Sequence, residues 1–377
     1  MVLPTVGSSA GLEQREGERA SAGVTCRLAC VADLDRITAF SRQAAGVDIP
    51  PPYWRWRYFD NPAGPSGVAI ALDGEQVVGM MAAFAMPFLL GGQRLLASQL
   101  GHNDILRSHR SANVYFQLAT TVFHELLEER GIDFCFGIAI KETRDLSVVM
   151  MGFDEVGPIS KLVQIVNPVP HLRKKSKLPL PRSLGIPVAM GRRRGVSRAL
   201  RGFTVARFDH FSEVDGPAWQ EGHTRHLIAS RESSHMEWRY VACPVQVYDK
   251  VQLRSGSELL GWVVCHTLEE QGVRYGVLDE CFSATESGVG PVVDLAIGAC
   301  LDRDVDAIVA WAAPSTALHR ALRGHGFIPR PSPRSLIVRP VAHRAPASVL
   351  SSEQSWYYTI GDSEYWLFPV RHGQTEG

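Results

Sequence analysis

A histidine and an aspartate stand two residues apart in the stretch "SQLGHNDIL", as His102 and Asp104. Residues of equal parity on a strand share one face, so both side chains would point the same way if this stretch is a strand. A histidine oriented by a carboxylate is a suitable base for removing a proton near neutral pH. Because the chain has 13 histidines, a chance surface pair is the competing interpretation.

A short basic loop follows, and it leads into a helix in "LRSHRSANVYFQL". The first N–H groups of a helix have no partner within the helix, and together with the helix dipole they favour an anion. Arg107 and Arg110 add positive charge, and Ser111 and Asn113 have side chains that can donate to a phosphate. The same side chains can instead cap the helix, so a closed helix end without a ligand is the alternative.

The helix after this loop has one apolar face, which predicts that it packs on a sheet. Its apolar residues recur every four positions and have apolar neighbours: Val114, Leu118, Val122 and Leu126, with Tyr115, Ala119 and Phe123. Gly131 is a candidate for its C-cap.

The elements around these residues are repeated within the chain. The segment "WRYFDNP", residues 56–62, returns as "WRYVACP" 182 positions later, and at this offset Gly74 matches Gly256 and Gly79 matches Gly261. Each half is predicted to run strand, helix, Trp-Arg-Tyr segment, hairpin, strand, long helix, buried strand, short helix, Gly-Phe, strand. Two copies of one α+β unit are therefore expected.

The repeated Trp-Arg-Tyr segment is interpreted as a packing device. Aromatic rings beside an arginine can stack on a ligand, but two identical cores are more common than two identical ligand sites. In the first copy Tyr53, Trp54 and Arg55 precede the motif, and a site there is the alternative.

Length and composition bound the class of protein. A chain of 377 residues exceeds the size at which single cores stop growing, so two domains are expected. The formal net charge is zero, so the molecule as a whole is not attracted to nucleic acid or to an anionic membrane, and any such interaction must be local. Seven scattered cysteines without a CxxC pair argue against a disulfide framework and a zinc site, so a reducing cytoplasm is expected. Residues 1–24 are predicted to be a disordered tail, and no apolar run approaches the length of a membrane span.

A basic segment, residues 171–201, separates the two copies. It holds ten Lys or Arg and no Asp or Glu. Its prolines and glycines oppose one continuous basic helix. The default interpretation is a solvated connector, and the alternatives are a role in holding the phosphates of a bound ligand and contact with a polyanion such as tRNA.

The order of elements, with a basic loop before the long helix and a terminal "GF", resembles that of the GNAT (Gcn5-related N-acetyltransferase) superfamily. The segments "WRYFDNPAG", "MGFDEVG", "RESSHMEWRY" and "WYYTIGDSEYW" look like those of a bacterial tandem-GNAT group. The resemblance implies two tandem GNAT-like domains of the α+β class, each a twisted mixed β-sheet with flanking helices. The expected boundaries are 25–170 for the first domain and 202–377 for the second, with residues 171–201 as linker.

The resemblance also implies a coenzyme A site at the loop after His102 and Asp104. The family's loop has the form Arg-x-x-Gly-x-Gly/Ala, and here both glycines are replaced by small polar residues. The residues expected around the pyrophosphate are Arg107, Arg110, Ser111, Ala112, Asn113 and Val114. In the second half the corresponding loop "ATESGVGPVVDL" has Gly288 and Gly290 but no preceding arginine, so the first half is favoured for coenzyme binding.

The catalytic groups implied by the resemblance are only partly present. His102 or Asp104 would be the base. The family's usual acid, a tyrosine four residues before the Gly-Phe pair, is replaced by Val148 and, in the second copy, by Leu322. The thiolate would then leave unprotonated or take a proton from water or another side chain. Tyr115 is near the loop in sequence and could be that side chain, but a packing role is an equal alternative.

The expected function is acyl-CoA-dependent N-acyl transfer, with acetyl-CoA as the default donor, no metal, and an amine of a small molecule or of a cell-envelope or natural-product precursor as acceptor. One rival is an aminoacyl-tRNA-dependent transferase of the Fem-like tandem-GNAT type, which the altered loop and the basic linker favour. The other is a catalytically inactive GNAT-fold scaffold, which the missing tyrosine favours. The sequence leaves the acceptor and the oligomeric state open.

Overall fold

The structure is a computed structural model that describes residues 23–46, 48–176, 181–214, 225–342 and 344–363. The tail predicted at the N-terminus lies outside the described residues, apart from Gly23 and Val24. The described chain forms two mixed sheets flanked by helices, which confirms the predicted α+β class and the expected pair of sheets.

The first half of the chain contributes seven strands. They are β1 (Thr25–Leu28), β2 (Gly67–Asp73), β3 (Gln76–Leu90), β4 (Gln93–Ile105), β5 (Phe134–Ile140), β6 (Asp154–Pro158) and β7 (Lys161–Ile165). The second half contributes nine described strands. They are β8 (Thr204–Arg207), β9 (Leu227–Ala229), β10 (Asp249–Ser255), β11 (Glu258–Glu270), β12 (Val273–Ser283), β13 (Ala307–Trp311), β14 (Ile328–Arg330), β15 (Arg334–Pro340) and β16 (Trp356–Tyr357).

Helices cover the sheets in the order that the sequence predicts for the first half. They are α1 (Leu34–Ala45), α2 (Pro51–Trp54, continued by a π-helical segment Arg55–Phe59), α3 (Ala112–Thr120, continued by a π-helical segment Thr121–Leu127), α4 (Lys141–Met151), α5 (Val169–Ser176), α6 (Ile186–Ala199), α7 (Ser233–Met236, continued by a π-helical segment Glu237–Val241), α8 (Val289–Leu301), α9 (Ala317–Gly324) and α10 (Ala347–Leu350). Short 3-10 turns lie at Arg107–His109 and Ile360–Asp362, among other places.

Each half of the chain contributes strands to the sheet of the other half. The main path of the first sheet is β1-β2-β3-β4-β5-β15-β6, and the second sheet runs β14-β7-β13-β12-β11-β10-β8. Strand β15, from the second half of the chain, lies between β5 and β6 in the first sheet and is antiparallel to both. Strand β7, from the first half, pairs in the same way with β13 and β14. Both sheets therefore cross the segment boundaries that the sequence suggests.

The glycines that mark the repeat have the same structural roles in both copies. Gly74 and Gly256 both have φ +59° and turn the hairpins β2–β3 and β10–β11. A Cβ at Gly79 would lie 3.2 Å from Leu118 of α3, and the equivalent atom at Gly261 would lie 2.7 Å from a methyl group of α8. Glycine is required at Gly261, where the added carbon would also lie 2.2 Å from the Phe282 carbonyl oxygen, and the contact at Gly79 is close but less severe. The hairpins and the duplicated unit are thus confirmed.

The Trp-Arg-Tyr segments meet at the junction of the two halves. The Trp56 and Trp238 rings stack with centroids 4.9 Å apart, and both side chains are buried. The buried guanidinium of Arg57 lies 3.6 Å from the ring centroid of Phe84. The packing interpretation of the motif is confirmed, and a single hydrophobic core cluster runs through both halves.

Two predicted features of the second half look different in the structure. The helix expected after β8 falls partly on residues 215–224, which lie outside the described residues, and its final part forms strand β9 instead. β9 extends the first sheet by pairing with β3, and β16 pairs with β9. The basic segment contains parts of two helices, α5 and α6, as its prolines and glycines predict.

Candidate active site

A cavity of about 360 Å³ opens where β4 and β5 diverge. The two strands are parallel and paired only from Ala97 to Gln99 on β4. Beyond that point residues 100–104 of β4 and 137–140 of β5 face the opening between them. The divergence of the two strands creates the cavity. Beyond the last main-chain hydrogen bonds between them, the strands separate and leave a wedge-shaped space.

A bulge in β4 shapes one wall of the cavity. The register with β3 shifts between the pairs Met80–Asp104 and Ala82–Gly101, so two residues of β4, His102 and Asn103, lie opposite the single residue Met81. His102 has φ +46°, in the left-handed region that a residue with a Cβ rarely adopts. His102 and Asp104 both line the cavity, but the bulge brings them there rather than the simple alternation of a strand.

The imidazole of His102 is surrounded by aromatic rings from helix α2 and its continuation. Its ring centroid lies 4.7 Å from that of Trp54, 6.0 Å from that of Tyr53 and 6.1 Å from that of Tyr58. All three of these aromatic side chains are buried. The residues in and before the first Trp-Arg-Tyr motif therefore also fix the orientation of a candidate base.

Asp104 is a partly buried carboxyl in the cavity wall. Burial raises the pKa of the Asp104 carboxyl above its usual value, and the nearby His102 and Arg110 oppose that rise. A carboxyl whose pKa lies closer to the working pH is better suited to accept a proton.

The loop before α3 is a capped helix end. The Ser111 hydroxyl accepts a hydrogen bond from the Val114 N–H at 3.2 Å, and the side chain of Val114 is fully buried in the core. The side chains of Ala112 and Asn113 are exposed, and their N–H groups belong to the helical turn that has no intrahelical acceptor. An anion at this helix end would thus meet the amides of residues 112 and 113, while the amide of residue 114 is taken.

The basic side chains of this loop are positioned differently from one another. The Arg110 guanidinium donates to the carbonyl of Ile105 at 3.2 Å, and it acts electrostatically on Asp104. Arg107 is exposed at the start of the 3-10 turn. His109, between them, lies 3.1 Å from an oxygen of Asp73 and 2.9 Å from the Ser108 hydroxyl. The loop therefore presents a cationic surface next to the mouth of the cavity.

Helix α4 supplies hydroxyl groups at the position where the sequence lacks a tyrosine. Val148 is exposed, and the preceding residue, Ser147, is buried and lines the cavity together with Thr143. The Tyr115 hydroxyl donates to the sulfur of Met151 at 2.9 Å in the core. Tyr115 is therefore a packing residue, and Ser147 is the hydroxyl nearest in sequence to the missing tyrosine.

The second half of the chain completes the cavity of the first. Arg334 and Ile337 come from the exchanged strand β15, and Ser363 follows the turn Ile360–Asp362. Gln99 donates from Nε2 to the carbonyl of Asp362 at 3.0 Å, and its buried Oε1 has no hydrogen-bond partner among the described residues. Sequence analysis missed Gln99, although a glutamine in an apolar strand is a visible signal. It gave no signal for Arg334, because nothing local reveals the exchange.

The corresponding region of the second domain is filled by the chain itself. Strands β12 and β13 are paired only from Tyr275 to Val277 on β12. Beyond this pairing, Arg231 bridges Glu280 at 3.0 Å and Asp362 at 2.9 Å, and all three side chains are buried. A Cβ at Gly361 would lie 1.9 Å from the Tyr240 hydroxyl oxygen, so the turn fits tightly against β12.

No group of three or more His, Cys, Asp or Glu side chains in the described part of the chain is arranged to hold a metal ion. Among the helices of the described residues, none has both the length and the apolar character needed to cross a bilayer.

Comparison with known proteins agrees with this architecture. The family model of the acetyltransferase (GNAT) domain matches residues 25–143. No curated protein matches the sequence.

Among solved structures, a probable N-acyltransferase from Enterococcus faecalis has a TM-score of 0.58 at 10% identity, covering 85% of this chain and 72% of its own. A GCN5-related N-acetyltransferase from Anabaena variabilis has a TM-score of 0.57 at 11% identity, with 84% and 73% covered. The Saccharomyces cerevisiae N-myristoyltransferase with bound myristoyl-CoA has a TM-score of 0.57 at 11% identity, with 85% and 79% covered. Residues 25–143 therefore match the acetyltransferase (GNAT) domain family, and the chain as a whole shares its fold with these structures.

Proposed function

We propose that the protein transfers an acyl group from an acyl-CoA, with acetyl-CoA as the default donor, to an amine of a small molecule or of a cell-envelope or natural-product precursor. The observation that carries the proposal is the cavity between β4 and β5, which holds the carboxyl of Asp104 and lies beside the cationic N-terminal end of α3. Such a wedge accommodates an extended thiol arm along a strand edge, with its phosphates at the helix end.

The coenzyme would bind with its pyrophosphate at the start of α3. The free amides of Ala112 and Asn113 and the positive charge of Arg107 and Arg110 favour two negative charges there. Ser111 would keep its capping role, so Val114 would contribute structure rather than a hydrogen bond. The small polar residues that replace the family's glycines leave these main-chain donors in place.

Proton transfer from the acceptor would use Asp104. The carboxylate takes one proton from the ammonium group, and the resulting amine attacks the thioester carbonyl carbon. The carbon–sulfur bond then breaks, and the second proton of the nitrogen passes to the departing sulfur, which gives an amide and a free thiol. His102, held in its aromatic surroundings, favours the ionised form of Asp104 electrostatically. The Ser147 hydroxyl, from α4, is the donor we assign to the departing sulfur.

The first domain is favoured as the site of reaction because the corresponding space of the second is occupied. The buried group of Arg231, Glu280 and Asp362 fixes the turn 360–362 against β12. Opening that region would separate these ion-paired side chains and leave a buried charge without its partner, which is strongly unfavourable. The second domain would therefore act as the wall that contributes Arg334, Ile337 and Ser363 to the first cavity.

Thermal unfolding in the presence of acetyl-CoA tests coenzyme binding. At a ligand concentration a hundred times the dissociation constant, the free energy of unfolding should rise by about 2.7 kcal/mol. Arg110→Glu should abolish the rise in melting temperature. Arg320→Glu is the matched control, because Arg320 lies beside the second-half loop and pairs with Glu286 at 3.0 Å. Loss of the shift in the control alone would place the coenzyme in the second domain.

The rival functions predict different results. Absence of any shift with acetyl-CoA, together with retention of bulk tRNA at low salt, would favour the aminoacyl-tRNA-dependent transferase. Absence of both would favour a catalytically inactive scaffold. Release of free thiol from acetyl-CoA in a panel of amines, dependent on Asp104, would identify the acceptor class.

A further inference from the structure

Helix α6 and the turn before it carry an unusual exposed surface. We call it the α6 patch and define it by Leu184, Ile186, Val188, Met190, Arg194 and Arg198. The four apolar side chains are 60%, 50%, 45% and 48% exposed, in that order. Twelve large apolar side chains of the described residues are at least 45% exposed, and four of them lie within the seven consecutive positions 184–190. Scattered exposed apolar residues are ordinary, but a cluster marks a contact surface.

A separate set of α6 side chains packs on the second domain. Ala189, Val196 and Leu200 pack against the hydrophobic core cluster. A Cβ at Gly298 of α8 would lie 3.2 Å from a methyl group of Val196, and Arg193 donates to the carbonyl at the end of α8. Ile186, Met190, Arg194 and Arg198 are all exposed and follow one another at four-residue intervals, so they form one continuous ridge beside this contact.

The charge of this region is of one sign. Residues 171–201 contain ten Lys or Arg and no Asp or Glu, although the whole chain has a formal net charge of zero. The patch therefore produces a local positive potential that the net charge conceals. A partner that covers it must offer negative charge and, next to that charge, an apolar phase for four aliphatic side chains.

We propose that the α6 patch docks on the surface of an anionic lipid bilayer. Basic side chains are attracted to anionic headgroups, and neighbouring aliphatic side chains enter the boundary between headgroups and acyl chains. RNA offers the negative charge but no apolar phase, and residues 171–201 contain no Phe, Tyr or Trp on which bases would stack. A second copy of the chain is disfavoured because two like-charged patches would face each other.

Vesicle sedimentation tests the proposal on the full-length protein. The probes are vesicles of phosphatidylcholine with 30% phosphatidylglycerol and vesicles of phosphatidylcholine alone, each at low and at 300 mM salt. We expect the wild type to sediment with the anionic vesicles and not with the neutral ones. A charge-reversed variant, Arg194→Glu, Arg198→Glu and Arg201→Glu, should bind about a hundredfold more weakly, since each basic residue contributes roughly fivefold. A variant with Leu184→Ser, Ile186→Ser and Met190→Ser should lose the binding that survives high salt.

Matched controls separate the patch from overall charge. Arg130→Glu, Arg225→Glu and Arg330→Glu change the net charge by the same amount at exposed positions elsewhere, and this variant should keep most of the binding. All variants should keep the melting temperature and any acetyl-CoA shift of the wild type. Absence of wild-type binding to anionic vesicles at low salt, or an equal loss in the control, would overturn the proposal. It would also be overturned by binding of poly(U) RNA that depends on the patch while vesicle binding is absent.

Discussion

The indole N–H of Trp56 donates to the main-chain carbonyl of Trp238 at 2.9 Å, and the indole N–H of Trp238 donates to the carbonyl of Trp56 at 3.2 Å. The two residues occupy the same place in the two copies of the sequence repeat, so the contact is reciprocal. The tryptophan that is repeated in the sequence thus links the two copies through a reciprocal pair of hydrogen bonds.

Replacing either tryptophan by phenylalanine should lower the free energy of unfolding by similar amounts. Each change leaves one buried carbonyl without its donor, which costs about 1–3 kcal/mol. Trp56→Ala should cost about 3–5 kcal/mol because it also leaves a cavity. Urea denaturation followed by circular dichroism measures both. The double phenylalanine variant should cost less than the sum of the single ones, since both act on one contact. Clearly unequal single costs would contradict the reciprocal arrangement.

Asp104→Asn should abolish amine acylation while it stabilises the protein at neutral pH. Burial raises the pKa of this carboxyl, so the folded state binds the Asp104 proton more tightly than the unfolded state does. The stability of the wild type should therefore fall as the pH rises through the raised pKa, and the advantage of the asparagine variant should appear over the same range and vanish in more acidic solution. Denaturation curves at several pH values measure the difference. Asp145→Asn, at an exposed ion-paired site, is the control.

The exchanged strands predict that neither half folds alone. A fragment of residues 1–170 lacks β15, which lies between β5 and β6, and a fragment of residues 171–377 lacks β7, which lies between β13 and β14. Each fragment would leave strand edges unpaired in the middle of its sheet. We expect no cooperative thermal transition from either fragment, and recovery of one when the two are co-expressed. A stable first fragment would contradict the exchange.

Gly361→Ala should destabilise the protein strongly, whereas Gly290→Ala should not. A methyl group at Gly361 would overlap the Tyr240 hydroxyl oxygen at 1.9 Å and Glu280 at 2.6 Å. Overpacking of this kind typically costs about 1–3 kcal/mol. At Gly290, inside α8, no heavy atom lies within 4 Å of the added carbon, so alanine should be neutral or stabilise by up to about 1 kcal/mol. Thermal melting of both variants checks whether the turn 360–362 fills the second domain as tightly as the structure has it.

The duplicated architecture could be predicted because its signals are local. The turn glycines, such as Gly74 and Gly256, have positive φ because the adjacent residues form a tight turn. The repeated aromatic motif is likewise visible in a short stretch of sequence, so neither signal depends on contacts with distant residues. The C-cap at Gly131 was predictable for the same reason, and its φ of +76° confirms it.

Other features could not be predicted because they depend on distant partners. Strand β15 has the same apolar pattern whichever sheet it joins, so neither the exchange nor the position of Arg334 in the first cavity is visible in the sequence. The bulge at His102 also breaks the alternation of side chains between the two faces of the strand. One inserted residue moves every following side chain to the other face. The expectation for the coenzyme loop rests on likeness to a family, and it stays a prediction until ligand binding is measured.

The position of β15 also has a consequence for synthesis of the protein. Strand β6 ends at Pro158 and the strand that must separate it from β5 ends at Pro340, so ribosomes translate about 180 further residues before the first sheet can close. At typical elongation rates this interval lasts roughly 10–40 s. During this time one edge of β5 stays unpaired, and prematurely terminated polypeptides contain no complete first sheet.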